Sequence, residues 1–160
     1  MNYDEIFQQL LTQYGGVIGL PDLLPTVEGF CALTIDESFV LKLQLDAETG
    51  LLAFVIDLGV VAEEHRAKTS TFMLAANVLW MGTGGATLGM DFDGLAMLCY
   101  SESVAHMALE RFSKIIDGLI TVAEDWEENL VALRLNDVGP ETLAQDWARE
   151  DSGSPFGIRV

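Results

Sequence analysis

Positive charge is scarce in this chain of 160 residues: 8 Lys and Arg stand against 25 Asp and Glu, a net charge of −17. A pI near 4.1 repels phosphate backbones and anionic lipid, because binding either takes clustered Lys and Arg. Nucleic acid and membrane surfaces are therefore excluded as partners. Cysteine is nearly absent, and Cys31 and Cys99 lie far apart inside apolar runs. They form neither a CxxC motif nor a disulfide framework and read as small buried hydrophobes in a reducing compartment. The 2 histidines, His65 and His106, have no second ligand at metal spacing and read as surface residues. GxSxG, HExxH, EF-hand and GxxxxGK[ST] motifs are all missing. The N-terminus has no basic segment followed by an apolar one, so no signal peptide is expected. The longest stretch without charge, Thr69–Met90, is broken by Gly82, Gly84, Gly85 and Gly89 and is not expected to span a membrane. The expectation is a cytoplasmic protein with no catalytic residues, no cofactor and no metal.

What the chain has is apolar surface. Half of it is hydrophobic, which argues against disorder in spite of the charge, and its length suffices for one core without disulfides. Tyr3, Ile6, Phe7, Leu10, Leu11 and Tyr14 form one helical stripe, with Asn2 and Glu5 placed as a capping box and Gly15-Gly16 as the expected stop. Pro21 and Pro25 mark an irregular connector. The period then changes to two over Phe30–Asp36, Phe39–Asp46 and Leu51–Leu58, with connectors short enough for an antiparallel meander. The third of these strands is apolar on both faces, so something must cover each.

A second helix is expected over about 62–81. From Thr71 to Met81 only Thr71 and Asn77 are polar, and a helix apolar around its circumference must be buried on all sides. Either the last long helix or a second copy of the chain covers the side away from the sheet. Gly82-Thr83-Gly84-Gly85 leads into strands at Ala86–Met90 and Leu95–Ser101, joined by a tight hairpin at Asp91-Phe92-Asp93-Gly94. This glycine-rich turn leaves a helix and enters a strand, the reverse of a phosphate loop, and reads as a helix stop with close backbone approach. Asp91 and Asp93 read as turn residues rather than a carboxylate pair. The last long helix, about 103–133, carries Val104, Ala108, Phe112, Ile115, Leu119, Val122, Trp126, Leu130 and Leu133 on one face and mostly acidic residues on the other. Pro140 and Glu141 open a short helix through Leu143 and Trp147, and Ser152-Gly153-Ser154-Pro155 reads as a mobile tail. The fold class is α+β, in the order α-β-β-β-α-β-β-α, with an antiparallel sheet packed by helices. Residues 1–133 make the domain and 134–160 an extension. Surplus apolar surface on an acidic body suits a protein that holds an amphipathic segment of another chain.

Ile18-Gly19-Leu20-Pro21, the strand pair Phe30–Asp36 and Val40–Leu43, and above all Ala76-Asn77-Val78-Leu79 through Gly82-Thr83-Gly84-Gly85-Ala86-Thr87-Leu88-Gly89 resemble the Tir chaperone (CesT) family, the class I chaperones of type III secretion. The resemblance covers about residues 3–133. It implies a homodimer in the bacterial cytoplasm that binds the N-terminal chaperone-binding segment of an effector. Such a protein keeps its effector extended and secretion-competent, and hands it to the secretion ATPase without using ATP. It further implies a dimer interface on the second helix, at Phe72, Ala75, Ala76, Val78, Leu79 and Met81. Effector contacts are implied on the first helix and the sheet, at Ile6, Leu10, Leu11, Leu33, Leu41, Leu43 and Phe54. A cytoplasmic regulatory or sensory protein of the same fold, without a secreted client, is the alternative from another class.

Overall fold

Local chemistry sets the first element. Asn2 accepts a hydrogen bond from the Glu5 N–H at 3.4 Å and opens helix α1 (Tyr3–Ile18) in a computed structural model that describes residues 2–135 and 140–147. The expected stop at Gly15-Gly16 is not used. The helix runs on to a left-handed Gly19, and the Gly15 carbonyl accepts from both the Gly19 and Leu20 N–H groups. Gly15 is buried against the returning Leu20–Leu23 segment, and this packing outweighs the roughly 1 kcal/mol that a helical glycine costs relative to alanine.

Strands β1 (Phe30–Ile35), β2 (Phe39–Asp46) and β3 (Leu51–Val60) form the meander expected from period two. After helix α2 (Glu63–Asn77) and a 3₁₀ turn (Val78–Trp80), β4 (Thr87–Met90) and β5 (Leu95–Ser103) complete a five-stranded sheet in the order β1-β2-β3-β5-β4. β1 pairs antiparallel with β2, and β4 with β5. The Val61 N–H donates to the Gly94 carbonyl and the Val104 N–H to the Gly50 carbonyl, so the end of β3 meets the start of β5 and the reverse, which makes that pair antiparallel too. Along the strands burial alternates. Leu33, Leu41, Leu43, Leu52, Phe54, Ile56 and Leu98 are buried, while Ala53, Val55, Met97 and Cys99 between them remain part-exposed.

Helix α3 (Leu109–Leu135) starts later than expected, because β5 continues through Ser103 and Val104 is tied to Gly50. Its stripe is otherwise as read: Phe112, Ile115, Leu119, Val122, Trp126 and Leu133 are buried and Leu130 half-buried, whereas Ala108 precedes the helix and is exposed. Helix α4 (Pro140–Trp147) follows. The mobile tail expected after Ser152 lies outside the described residues.

The chain gathers into two compact units, Met1–Val55 with Tyr100–Ile116, and Ile56–Cys99 with Asp117–Val160, and β3, β5 and α3 each run through both. The first unit is cored by aromatic rings: Tyr14 meets Phe112 edge-on at 5.4 Å, and Phe54 lies 5.7 Å from Phe112 and 6.3 Å from Tyr100. In the second, Phe72 of α2 sits between Trp126 at 5.1 Å and a stacked Trp147 at 5.0 Å. A Cβ on Gly82 would come within 2.7 Å of the Trp147 ring, so glycine is required there. The Gly82 carbonyl accepts from Trp126 Nε1 at 2.8 Å.

Candidate interaction surfaces

Helix α2 lies along β4. Three contacts order the pair: Asn77 on Leu88, Ser70 Oγ on the Met90 sulfur at 3.8 Å, and Arg66 on the hairpin after β4. The helix therefore ends at Asn77 rather than Met81, because the Asn77 carboxamide is taken up by the Leu88 backbone. Beyond it Leu79 and Trp80 take left-handed backbone angles, φ 52° and 53°, at a cost of about 1–2 kcal/mol each for non-glycine residues. This turn directs apolar side chains outward. Leu74, Val78, Leu79, Trp80 and Met81 are all exposed, Leu74 and Leu79 by 67% and 63%. So many large apolar side chains exposed in one short segment of so acidic a chain single it out as a candidate contact surface.

The two edges of the sheet differ. At β4, Asn77 Oδ1 accepts from the Leu88 N–H and its Nδ2 donates to the Leu88 carbonyl, so those groups are occupied. At β1 the Gly29 carbonyl accepts from Leu45 at 2.9 Å, and the register then sets Cys31 and Leu33 as hydrogen-bonded partners of β2. Phe30, Ala32 and Thr34 consequently point their backbone groups away from β2. Thr26 satisfies Phe30 on both sides, its N–H donating to the Phe30 carbonyl at 2.7 Å and its Oγ1 accepting from the Phe30 N–H at 3.3 Å. Ala32 and Thr34 are left as a short open edge among the described residues. Beside its start runs a cleft of about 290 Å³ between Phe7, Gln8, Leu24, Thr26 and Val27, and Val17, Ile18, Leu20, Leu24 and Val27 are exposed apolar side chains of the same α1 end and connector.

The charged groups fall into a structural pattern. Arg111 donates to both Glu102 oxygens and to the Tyr100 hydroxyl, and the Tyr100 hydroxyl donates to Glu102 at 2.7 Å. Hydrogen bonding from Arg111 holds the Glu102 carboxyl below the ordinary range, while burial first and the Glu102 carboxylate second push Tyr100 up to about 12. Burial raises both thiols, with the Asp57 charge adding to the effect at Cys99, which keeps them protonated and unreactive. No His, Cys, Asp and Glu cluster among the described residues could hold a metal ion, and no described helix is long and apolar enough to cross a membrane. Asp91 is the turn residue expected, its carboxylate accepting from the Asp93 and Leu95 N–H groups.

Of the residues expected at a dimer interface, Ala75, Val78, Leu79 and Met81 are exposed on the α2 patch, whereas Phe72 and Ala76 are buried under Trp126, Trp147 and Gly82. Of those expected to meet an effector, Leu10, Leu11, Leu33, Leu41, Leu43 and Phe54 are core residues, and Ile6 alone reaches the surface, half-buried. Along the strands the reason is alternation: the more apolar face of each strand is the one that packs inward, and only the intervening positions stay accessible. Leu74, Trp80, Val27 and the open edge at Ala32 and Thr34 escaped the sequence reading. Leu74 and Trp80, both within the apolar run, carried a visible signal, and the others did not.

These features define a small acidic α+β protein with apolar surface left over after folding. The profile of the Tir chaperone protein (CesT) family matches residues 9–127, and the chain belongs to this family. Among solved structures it is similar to the ExsC–ExsE complex, with 28% identity, a TM-score of 0.69, and 81% of this chain and 97% of that chain covered. It shares its fold with the HopA1–SchA chaperone–effector complex, at 21% identity and TM-score 0.66 over 78% and 95% of the two chains. The same holds for the Yersinia pestis type III secretion chaperone SycH in complex with a fragment of YscM2, at 19% identity and TM-score 0.59 over 73% and 96%. No curated protein matches the sequence.

Proposed function

We propose that this protein is a bacterial cytoplasmic type III secretion chaperone. It pairs with a second copy through the exposed patch at the end of α2 and holds the N-terminal segment of an effector in extended form. The carrying observation is the contrast between the sheet's two edges: β4 is occupied at Leu88 by Asn77, and among the described residues β1 is open at Ala32 and Thr34, beside a cleft lined by Phe7, Leu24 and Val27 together with Asp4, Gln8 and Thr26. An effector strand added at β1 gains register from backbone pairing, and its apolar side chains gain about 25 cal/mol per Å² buried over the cleft and the exposed α1 end. Ordering a disordered segment costs several kcal/mol, so the wrapped surface must be large, which a dimer supplies. The charge of −17 keeps the free dimer soluble and favours effector segments bearing Lys or Arg. The chaperone–effector complex of the HopA1–SchA pair supports this reading by its fold. Co-purification from the native bacterium followed by mass spectrometry tests it. A secreted protein held through its N-terminal segment is the expected result, and recovery with no such client would contradict it.

A further inference from the structure

Phe92, at the tip of the β4–β5 hairpin, is fully exposed, and the hairpin beneath it is unusually well tied. The Asp91 carboxylate accepts from the Asp93 N–H at 3.0 Å and the Leu95 N–H at 2.8 Å. Arg66 reaches over from the first turns of α2, donating from Nε to the Val61 carbonyl at 3.1 Å and from its terminal nitrogens to the carbonyls of Phe92 and Asp93. Gly94 has φ 91°, and a Cβ there would lie 2.5 Å from the guanidinium, so glycine at this position is what lets Arg66 pack against the turn. One of only 8 basic side chains is thus committed to backbone carbonyls that fix a ring standing in solvent. On either side of it in the turn stand the exposed Asp91 and Asp93.

We propose that this hairpin is a rigid docking knob for another protein, one that offers an apolar pocket rimmed by Lys and Arg. The ring stands on a preordered backbone, so docking orders little beyond its own rotamer, and the flanking carboxylates supply charge complementarity and steering. A second copy of this chain fits poorly, because it has only 8 Lys and Arg from which to build a cationic rim, and its Arg66 is already committed to the hairpin carbonyls. The patch proposed for pairing also lies at the other end of α2, about 17 Å along the axis from Arg66 to Asn77 at 1.5 Å per residue. A disordered effector segment does not fit either, since a preformed knob requires a preformed pocket. The inference stands apart from client capture.

The test places a photoreactive benzoylphenylalanine at position 92 of the full chain in the native cell, identifies the adduct by mass spectrometry, and measures binding of the identified protein after purification. The expected adduct is a protein that is neither this chain nor its effector. Its Kd should rise at least tenfold with Phe92→Ala, rise with Arg66→Ala, and rise as salt is added. Phe92 is exposed, so Phe92→Ala should melt like the wild type, which separates lost binding from lost folding. An adduct with a second copy or with the effector, no adduct at all, or a Kd unchanged within twofold by Phe92→Ala would overturn the proposal.

Discussion

The Asn77 carboxamide grips both backbone groups of Leu88, accepting from its N–H at 2.8 Å and donating to its carbonyl at 2.9 Å. This is the bond pair a neighbouring strand would make, so one side chain both ends α2 and occupies the β4 edge at Leu88. Asn77→Ala leaves the backbone groups of buried Leu88 without these bonds and is expected to cost about 1–3 kcal/mol. Asn77→Asp keeps the acceptor and loses the donor, and should fall between. Urea midpoints at equal m-value measure both.

Pairing through the end of α2 predicts different outcomes for two neighbours. Val78 is exposed, so Val78→Asp should leave the circular dichroism unchanged and give a monomer by size exclusion with light scattering, because the charge enters an apolar interface. Phe72 is buried between Trp126 and Trp147, so Phe72→Glu should unfold the second unit by about 3 kcal/mol or more. A folded dimer in either variant would contradict the assignment of these two residues.

Gly82 lies under Trp147, with the Ala76 methyl 2.8 Å from the place a Cβ would occupy. Gly82→Ala must therefore push the indole away from Phe72 and is expected to cost about 1–3 kcal/mol. Indole fluorescence should shift to the red as Trp147 leaves its stack, and an unshifted spectrum with wild-type stability would contradict the packing.

The Glu102 carboxyl titrates below its ordinary range because Arg111 hydrogen-bonds its charged form. A carboxyl whose folded pKa is depressed stabilises the fold above its unfolded value, near 4.3, and that stabilisation is lost as pH falls through the folded value. Unfolding free energy measured from pH 7 down to pH 3 should therefore fall less steeply in Glu102→Gln than in the wild type below about pH 4.5. Equal slopes would show that the Arg111 contact contributes nothing in solution.

Much of this was legible in the sequence, and the failures have physical causes. β2 is found at its expected bounds, Phe39–Asp46, because period two and the turn residues on either side agree. The N-cap at Asn2 and the Asx turn at Asp91 are local interactions and were legible for that reason. The end of α2 was not, because what stops it is Leu88, a partner distant in sequence. Alternation showed that β1 and β2 have two faces but not which one is covered, so Leu33, Leu41 and Leu43 read as contacts when they are core. Nothing in one sequence shows that the ring of Phe92 stands in solvent, or that the edge at Ala32 stays open.

The central claim is that an extended client adds to the β1 edge of a dimer. Calorimetry and light scattering with the N-terminal segment of the co-purified effector test it directly, on the wild type and on Ala32→Pro. The proline removes an N–H that points away from β2 and sets its ring on the open edge, leaving the β1–β2 ladder intact. The wild type should bind the segment as a species containing two 17.5 kDa chains. Ala32→Pro should remain dimeric and bind at least tenfold more weakly, a difference of about 1.4 kcal/mol or more. Undiminished binding by Ala32→Pro, or binding by a single chain, would contradict the account.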